Sequence, residues 1–287
     1  MYPASFDYSA PATMDEVLAL LAKHGDGARL LAGGHSLLPL MKLRLAQPAH
    51  VVDLRRVASL RGVRRQSGTL VIGATTTYAD LAASTDIRDT APIIVDAAAH
   101  IGDPQVRNRG TIGGSLAHAD PGADLPSVML ALGASFGVAG PKGTRVIPVD
   151  EFFVDMYTTA LAANELLTEI RVPLATGRSG GAYAKHPHPA TRFAVIGVAA
   201  KVELERMSDR VQRIRVAVTG FGSKPLRGIA AEDALTGRSL DDDAIAMAAD
   251  RLASATAAAA ESADEYKTQL TRVYAEKALR KAAERAQ

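Results

Sequence analysis

Two glycine pairs, each followed by a hydroxyl side chain, are the part of this sequence best suited to hold a phosphate group. They lie in Leu31-Ala32-Gly33-Gly34-His35-Ser36 and in Gly110-Thr111-Ile112-Gly113-Gly114-Ser115. Glycine has no Cβ, so its backbone can approach a ligand closely, and consecutive free N–H groups form a concave anion-binding surface. The two segments therefore predict a pair of loops that close on one long, phosphate-bearing ligand.

Neither segment matches the common phosphate-binding motifs. The chain contains no G-x-x-x-x-G-K-[ST] sequence, which argues against a P-loop protein. The first segment also lacks the G-x-G-x-x-G spacing of a Rossmann turn. Taken alone, each glycine pair is explained at least as well by a turn or bulge at the end of a strand. The surrounding elements and residues must decide between these interpretations.

Short strands and helices are predicted to position both glycine segments. Thr13 and Glu16 form a capping box that opens a helix, and Ala28–Leu31 is a short buried strand that runs into the first segment. Pro92 suits the first turn of a helix that continues to Ala99, and the second segment follows as a loop. Further strands are predicted at Val51–Leu54, Thr69–Ile72, Ser135–Val138, Arg145–Val149 and Leu166–Val172, with a helix at Leu125–Leu132.

The order of elements changes after a Thr-, Gly- and Ser-rich stretch at Ala175–Gly181. Strands are predicted at Ala182–Lys185, Phe193–Leu204 and Val211–Thr219, and helices at Ile229–Leu235, Asp242–Ala257 and Ala263–Glu284. Strands followed by helices favour an α+β domain in which the helices cover one face of an antiparallel sheet.

Composition excludes several classes of protein. The 33 basic and 31 acidic side chains nearly balance among 287 residues, so the charge gives no argument for a nucleic-acid partner. The chain has no cysteine, which excludes disulfides and any thiolate-held iron–sulfur cluster or zinc site within it. Met1–Ala10 does not resemble a secretory signal. Charged residues interrupt the Ala-rich stretch 244–260, which argues against a membrane-spanning helix there. A soluble, cytoplasmic protein is expected.

The residues that flank the glycine pairs favour a ligand site. The run Ala32–Lys42 resembles the first pyrophosphate loop of the flavin subunits of molybdenum hydroxylases, and Arg107–Pro126 is similar to their second loop. The stretches Glu165–Ile170 and Phe193–Ala200 also fall where that family has similar sequence. The resemblance covers essentially the full chain and is closest to the medium, flavin-carrying subunit of carbon monoxide dehydrogenase-type enzymes.

The resemblance implies a fold of α+β class. Residues 1–176 would form a two-subdomain FAD-binding fold of the vanillyl-alcohol oxidase (PCMH) type, with subdomains at about 1–58 and 59–176. Residues 177–287 would form the small C-terminal α+β domain. FAD would lie between the two subdomains, with its pyrophosphate across both glycine segments. The residues implied to contact it there are Leu31, Ala32, Gly33, Gly34, His35, Ser36, Leu37, Thr111, Ile112, Gly113, Gly114 and Ser115, largely through backbone N–H groups and hydroxyls.

Three charged residues are also implied to contact FAD. The resemblance places Asp124 against the adenosine ribose, although the same residue could cap the following helix. Asp120 could contact the cofactor or stabilise its own turn. Lys185 would lie beside the flavin, where a cation favours the reduced, electron-rich ring; the alternative is a surface lysine on an edge strand.

Apolar residues are implied around the flavin ring. Ile101 and Leu167 match positions that line the flavin pocket, and this role is compatible with core packing. Phe193 matches a position near the isoalloxazine, where relatives carry a tyrosine, so a phenol hydroxyl is absent here; ordinary core packing is the alternative. Histidines with ligand-like spacing, His118-x-Asp120 and His186-x-His188, are not expected to bind metal.

The sequence contains no recognisable catalytic triad or nucleophile, which suits a subunit that transfers electrons. The resemblance implies a large molybdopterin-binding partner and a small [2Fe–2S] partner in a doubled three-subunit assembly. Electrons would pass from the clusters to FAD and then to a quinone or NAD⁺, with peripheral membrane association if the acceptor is a quinone. The alternatives are a free-standing FAD-dependent oxidoreductase and a non-catalytic flavin-binding protein.

Overall fold

A parallel sheet at the amino-terminal end of the fold carries the first glycine segment. The structure, a computed structural model, describes residues 2–260 and 264–287. The first unit contains β1 (Asp7–Ser9), α1 (Met14–His24), β2 (Ala28–Leu31), α2 (Leu37–Lys42) and β3 (His50–Asp53), with β3 in the middle of the sheet. The predicted capping box is present, because Thr13 and Glu16 exchange hydrogen bonds at the start of α1. The first glycine segment connects the end of β2 to α2.

A five-stranded antiparallel sheet and a set of short helices form the second unit. Its elements are β4 (Val63–Gln66), β5 (Thr69–Gly73), α3 (Tyr78–Ala83), α4 (Thr85–Thr90), α5 (Pro92–His100), α6 (Pro104–Arg109), α7 (Ile112–His118), α8 (Asp124–Leu132), β6 (Ser135–Gly140), β7 (Gly143–Pro148), α9 (Val149–Phe152), β8 (Phe153–Asp155), β9 (Thr158–Thr159) and β10 (Leu166–Pro173). The strand order is β4-β5-β10-β6-β7. In the middle strand, Ile170 pairs with Ile72 on one side and Phe136 on the other, and all three are fully buried.

The third unit is a four-stranded antiparallel sheet covered by helices. It comprises β11 (Ser179–Pro187), β12 (Ala194–Leu204), β13 (Val211–Thr219), β14 (Leu226–Arg227), α10 (Ile229–Leu235), α11 (Asp242–Ala259) and α12 (Glu265–Ala286). Ala263, where the last helix was predicted to begin, lies outside the described residues. The apolar faces of the sheet and of α10, α11 and α12 form one buried cluster, as the sequence of strands followed by helices predicted.

Helix α8 joins the second and third units. Every residue of α8 is buried, and the helix packs against β12 and β13 of the third sheet. Two ion pairs also connect these units: Asp96 on α5 pairs with Arg285 at 2.6 Å and with Lys281 at 3.0 Å, both on α12. Two of the residues singled out in the sequence lie on either side of this junction: Asp124 at the start of α8 and Lys185 on β11.

The α+β fold class is confirmed, and the predicted strands and helices are found within a few residues of their expected bounds. The second glycine segment was wrongly predicted as a loop, because Ile112–His118 is helical. Phe193 lies just before β12 rather than within it. The division at residues 176 and 177 stays a prediction. No helix in 2–260 and 264–287 is long and apolar enough to cross a membrane.

Candidate cofactor site

The two glycine segments touch each other in the structure. A Cβ placed on Gly33 would lie 2.4 Å from the carbonyl oxygen of Arg109 and 2.7 Å from the Cα of Gly110. No real side chain tolerates such distances, so glycine at position 33 permits the close approach of the two backbones. On the other side, the Cβ position of Gly114 faces that of Ala32 at 3.9 Å. Segments far apart in the sequence therefore form one continuous surface.

The first segment presents a run of unpaired backbone N–H groups. Among the described residues, no acceptor receives a hydrogen bond from the N–H groups of Gly33–Leu37. Ser36, which precedes α2, makes no side-chain cap. Gly34 has a φ of +83°, a conformation that glycine adopts without strain. Free N–H groups at a helix start are the donors that an anion can satisfy, as predicted for this segment.

The second segment uses its N–H groups within the protein. The N–H of Ile112 donates to Thr76 O at 3.0 Å, and that of Gly113 donates to Ala74 O at 2.8 Å. The N–H groups of Gly114 and Ser115 donate to the side chain and carbonyl of Thr111, the N-cap of α7. The expectation that this stretch offers free amides is therefore wrong for Ile112–Ser115. Hydroxyls remain as donors, because the Thr111 hydroxyl still carries its own proton while it accepts from Gly114.

Different contacts explain the glycines of the second segment. A Cβ on Gly113 would meet Ala74 at 2.5 Å, so this glycine lets α7 pack against the end of β5. A Cβ on Gly114 would touch its own capping hydroxyl at 2.7 Å and then face the first segment. Gly114 is thus the glycine whose missing side chain keeps the gap between the two segments open.

Tyr78 supports the second segment and was missed by the sequence analysis. Its ring lies 2.4 Å from the position a Cβ would take on Gly110, its N–H donates to the Gly110 carbonyl, and its phenol contacts the Ser115 hydroxyl. Burial raises the pKa of Tyr78 to about 12, although the Ser115 contact opposes that shift. The phenol therefore stays protonated at neutral pH. Nothing in the local sequence around Tyr78 indicates this contact.

Asp124 and Lys185 form a buried ion pair. Lys185 Nζ donates to Asp124 Oδ2 at 2.8 Å and to the His100 carbonyl at 3.3 Å, and the Tyr183 hydroxyl donates to Asp124 Oδ1 at 2.6 Å. The side chains of Lys185 and Asp124 are only 3% and 4% exposed. Burial raises the pKa of Asp124, while the Lys185 ammonium and the Tyr183 hydroxyl act in the opposite direction. Burial and the Asp124 charge raise the pKa of Tyr183.

This ion pair changes three expectations. Asp124 does not cap α8, because Ala123 is the N-cap, and Lys185 is not a surface lysine. The resemblance placed Asp124 at the ribose and Lys185 at the flavin, which lie on opposite sides of the pyrophosphate. Because their charged atoms are 2.8 Å apart, the structure joins in one ion pair two residues to which the resemblance gave separate contacts.

Asp120 lies in a turn flanked by two exposed aromatic rings. Its Oδ1 accepts the Gly122 N–H at 2.8 Å, so the turn-stabilising role is present. Its Oδ2 accepts the Tyr157 hydroxyl at 3.5 Å. Phe193 packs beside Gly122, its Cδ1 3.3 Å from the position of an added Cβ, and is 48% exposed. Core packing of Phe193, the alternative given above, is therefore wrong.

The remaining candidates are apolar residues and histidines. Leu167 is buried in the core on β10, and Ile101 is half-buried after α5. The rings of His118 and Tyr157 are 5.0 Å apart, and His186 hydrogen-bonds to the Tyr274 hydroxyl. Within residues 2–260 and 264–287, no three His, Asp or Glu side chains are gathered in a way that could hold a metal ion.

Comparison with known proteins identifies the class. Residues 4–175 match a family described as the FAD binding domain in molybdopterin dehydrogenase, and residues 181–282 match the CO dehydrogenase flavoprotein C-terminal domain. The chain is 44% identical over 250 residues to the carbon monoxide dehydrogenase medium chain of Hydrogenophaga pseudoflava, covering 87% of this chain and 86% of that one. It is 38% identical to the 6-hydroxypseudooxynicotine dehydrogenase complex subunit alpha of Paenarthrobacter nicotinovorans, covering 100% and 97% of the two chains.

A solved structure of carbon monoxide dehydrogenase from Hydrogenophaga pseudoflava superposes with a TM-score of 0.92 at 42% identity, covering 99% of both chains. The fold and the paired glycine segments thus define a FAD-binding flavoprotein of the molybdopterin dehydrogenase class. The chain belongs to the family of FAD-binding medium subunits of molybdenum hydroxylases, and its similar relatives include medium chains of carbon monoxide dehydrogenase. It is accordingly an oxidoreductase subunit with FAD as its cofactor.

Proposed function

We propose that this chain carries FAD as an electron-transfer subunit, with the pyrophosphate bound across the two glycine segments. The contact between Gly33 and the Arg109–Gly110 backbone carries the proposal, because it joins both segments into one surface. The unpaired N–H groups of Gly33–Leu37 fit a pyrophosphate, since charge-assisted N–H···O⁻ bonds require approachable backbone. The hydroxyls of Ser36 and Thr111 would add donors from both sides.

The proposed contacts with FAD follow the two segments. In the first, backbone or hydroxyl groups of Leu31, Ala32, Gly33, Gly34, His35, Ser36 and Leu37 would contact the pyrophosphate. In the second, Thr111 and Ser115 would contact it through their hydroxyls and Gly114 through its bare Cα. Ile112 and Gly113, whose N–H groups donate to Thr76 and Ala74, would shape the surface. A side chain introduced at position 114 would therefore weaken FAD binding without altering the close backbone contact at Gly33.

We propose that Lys185 lies beside the flavin and that Asp124 contacts Lys185 on the side away from the flavin. Asp124 and Tyr183 would hold the Lys185 ammonium in one orientation, and the three side chains are buried together. This arrangement retains the proposed role of Lys185 and makes the contact of Asp124 with the cofactor indirect. Ile101, Leu167 and Phe193 would line the flavin ring. Asp120 would stabilise the turn at Gly122, which follows the second glycine segment.

The proposed reaction is transfer of electrons through the complex. When bound, FAD supplies a group that accepts electrons singly from iron–sulfur clusters and passes them to a two-electron acceptor. Because the chain has no cysteine, [2Fe–2S] clusters would be held by a small partner subunit. A large partner would bind molybdopterin, in keeping with a solved relative described as a Cu,Mo-CO dehydrogenase.

Further features of the complex and of this chain follow from the family resemblance. The assembly would be a doubled set of large, medium and small subunits in the cytoplasm. The acceptor would be NAD⁺ or a quinone, and a quinone would imply peripheral contact with a membrane. We also propose domains at residues 1–176 and 177–287, with a subdomain boundary near residue 58. The division at 176 and 177 is supported by the connection between β10 and β11, which belongs to neither strand.

Purification of the native protein followed by rapid mixing tests this function. We expect two further chains to co-purify, one with molybdenum and one with iron and sulfide. Substrate added without oxygen should bleach the iron–sulfur and flavin absorbance, and an acceptor should restore both. Turnover of a small organic substrate by the isolated chain would favour a free-standing oxidoreductase. A flavin that neither substrate nor partners reduce would favour a non-catalytic binding protein.

A further inference from the structure

Tyr157 is an exposed aromatic residue held in a strained conformation. Its φ is +53°, a left-handed value that a bulky residue adopts at a cost in free energy. Its side chain is nevertheless 55% exposed, so core packing does not explain why the chain keeps a tyrosine there. Strained residues of this kind concentrate at binding and catalytic sites, where the surrounding structure fixes them.

Contacts with the end of α7 fix Tyr157 in place. Its N–H donates to the Ala119 carbonyl at 3.1 Å, and its hydroxyl donates to Asp120 at 3.5 Å. The ring also lies against His118, with centroids 5.0 Å apart. Since a helix rises 1.5 Å per residue, Ala119 is about 8 Å along α7 from Gly114. Tyr157 is therefore anchored at the end of the helix that begins in the second glycine segment.

Phe193 lies on the other side of the same turn. The Ala194 N–H donates to the Gly122 carbonyl at 3.1 Å, and the Phe193 ring packs on Gly122. Two half-exposed aromatic rings thus flank the turn that follows the second glycine segment. Aromatic rings in such a position are suited to a flat, partly apolar ligand, which they contact by offset stacking or edge-to-face packing.

We infer that Tyr157 is a flavin-contacting residue, which together with Phe193 packs against the isoalloxazine ring. This inference rests on the proposed FAD site, because the glycine segments would anchor the other part of the same cofactor. The strained backbone directs the phenol ring toward the turn, and the Asp120 contact limits its rotation. Tyr157 would thereby both strengthen FAD binding and quench the fluorescence of the bound flavin.

Substitution of Tyr157 in the FAD-loaded full chain tests this role. Tyr157→Ala should raise the fluorescence of bound FAD at least twofold and raise its Kd about two- to tenfold, the range expected for one aromatic contact. Tyr157→Gly should change FAD fluorescence and Kd as Tyr157→Ala does. It should not destabilise the FAD-free chain, because glycine adopts the left-handed conformation without strain. Tyr157→Phe should retain the quenching. Met156→Ala, a change at a neighbour that is 50% exposed, is the matched control and should change neither signal.

The outcomes separate this inference from the proposed function. Normal FAD binding with unchanged fluorescence and visible circular dichroism in Tyr157→Ala would overturn the role of Tyr157 alone. The same result accompanied by loss of a co-purifying subunit would assign the aromatic surface to a protein partner instead. Failure of the unsubstituted chain to bind any FAD would overturn both proposals together.

Discussion

Removing the carboxylate of Asp124 should strongly destabilise the protein. Asp124→Asn would leave the Lys185 ammonium buried with only the His100 carbonyl, at 3.3 Å, and an amide oxygen as partners. Breaking one side of a buried ion pair typically costs about 3–5 kcal/mol, because the remaining charge loses its compensation. At 3% and 4% exposure, the pair qualifies as buried. We expect a loss of this size in the free energy of unfolding.

Urea denaturation of the FAD-free chain at pH 7 measures this loss. Asp209→Asn is a matched control, because Asp209 pairs with Arg178 at the same 2.8 Å but is 76% exposed. An exposed pair contributes about 0–1 kcal/mol, so this variant should unfold almost as the unsubstituted chain does. The slope of the unfolding free energy against urea should stay constant if the folded state is retained.

A double variant separates the charge from the packing. Asp124→Asn combined with Lys185→Met leaves no buried charge unpaired, so its cost should fall well below the sum of the two single costs. An Asp124→Asn variant as stable as Asp209→Asn would refute the reasoning, since the buried Lys185 ammonium would then lose no stabilisation when its carboxylate partner is removed. Additive costs in the double variant would refute it as well.

Two further predictions concern the first and third units. The rings of His24 and His50 stack at 4.0 Å, and burial and the His50 charge lower the pKa of His24 from its ordinary 6.5. The folded state then binds fewer protons than the unfolded state, so stability should fall as pH drops below 6.5, and His24→Gln should flatten this slope in urea titrations. Gly180→Ala would place a Cβ 2.0 Å from the Ala282 carbonyl and should cost about 1–3 kcal/mol or more, whereas Gly177→Ala, which meets no atom within 4 Å, should be neutral in the same assay.

Local sequence patterns predicted most of the elements because their causes are local. The capping box at Thr13 and Glu16 begins α1 as predicted, and β2 ends at Leu31 directly before the first glycine pair. The helical start of α7 was missed because glycine pairs usually break helices. Here the Thr111 cap and the contact of Gly113 with Ala74 compensate for that low propensity.

Contacts between distant residues could not be predicted from spacing. Asp124 and Lys185 are separated by 61 positions, and only the packing of α8 against the third sheet brings them together. Each residue was predicted by resemblance, but their pairing was not. Likewise, no pattern around Tyr78 or Tyr157 indicates that they contact the second segment and its following turn. The sequence thus predicted the two glycine segments that meet in the structure, but not the contacts among the side chains around them.

Titration of the purified FAD-free chain with FAD tests the central claim most directly. We predict one tightly bound FAD per chain, and at least tenfold weaker binding for Gly114→Ala, whose methyl group would enter the gap facing Ala32. Gly27→Ala, where an added Cβ would meet only Ala49 at 3.7 Å, should bind FAD normally. Unchanged FAD affinity in a folded Gly114→Ala chain would contradict a pyrophosphate site between the two glycine segments.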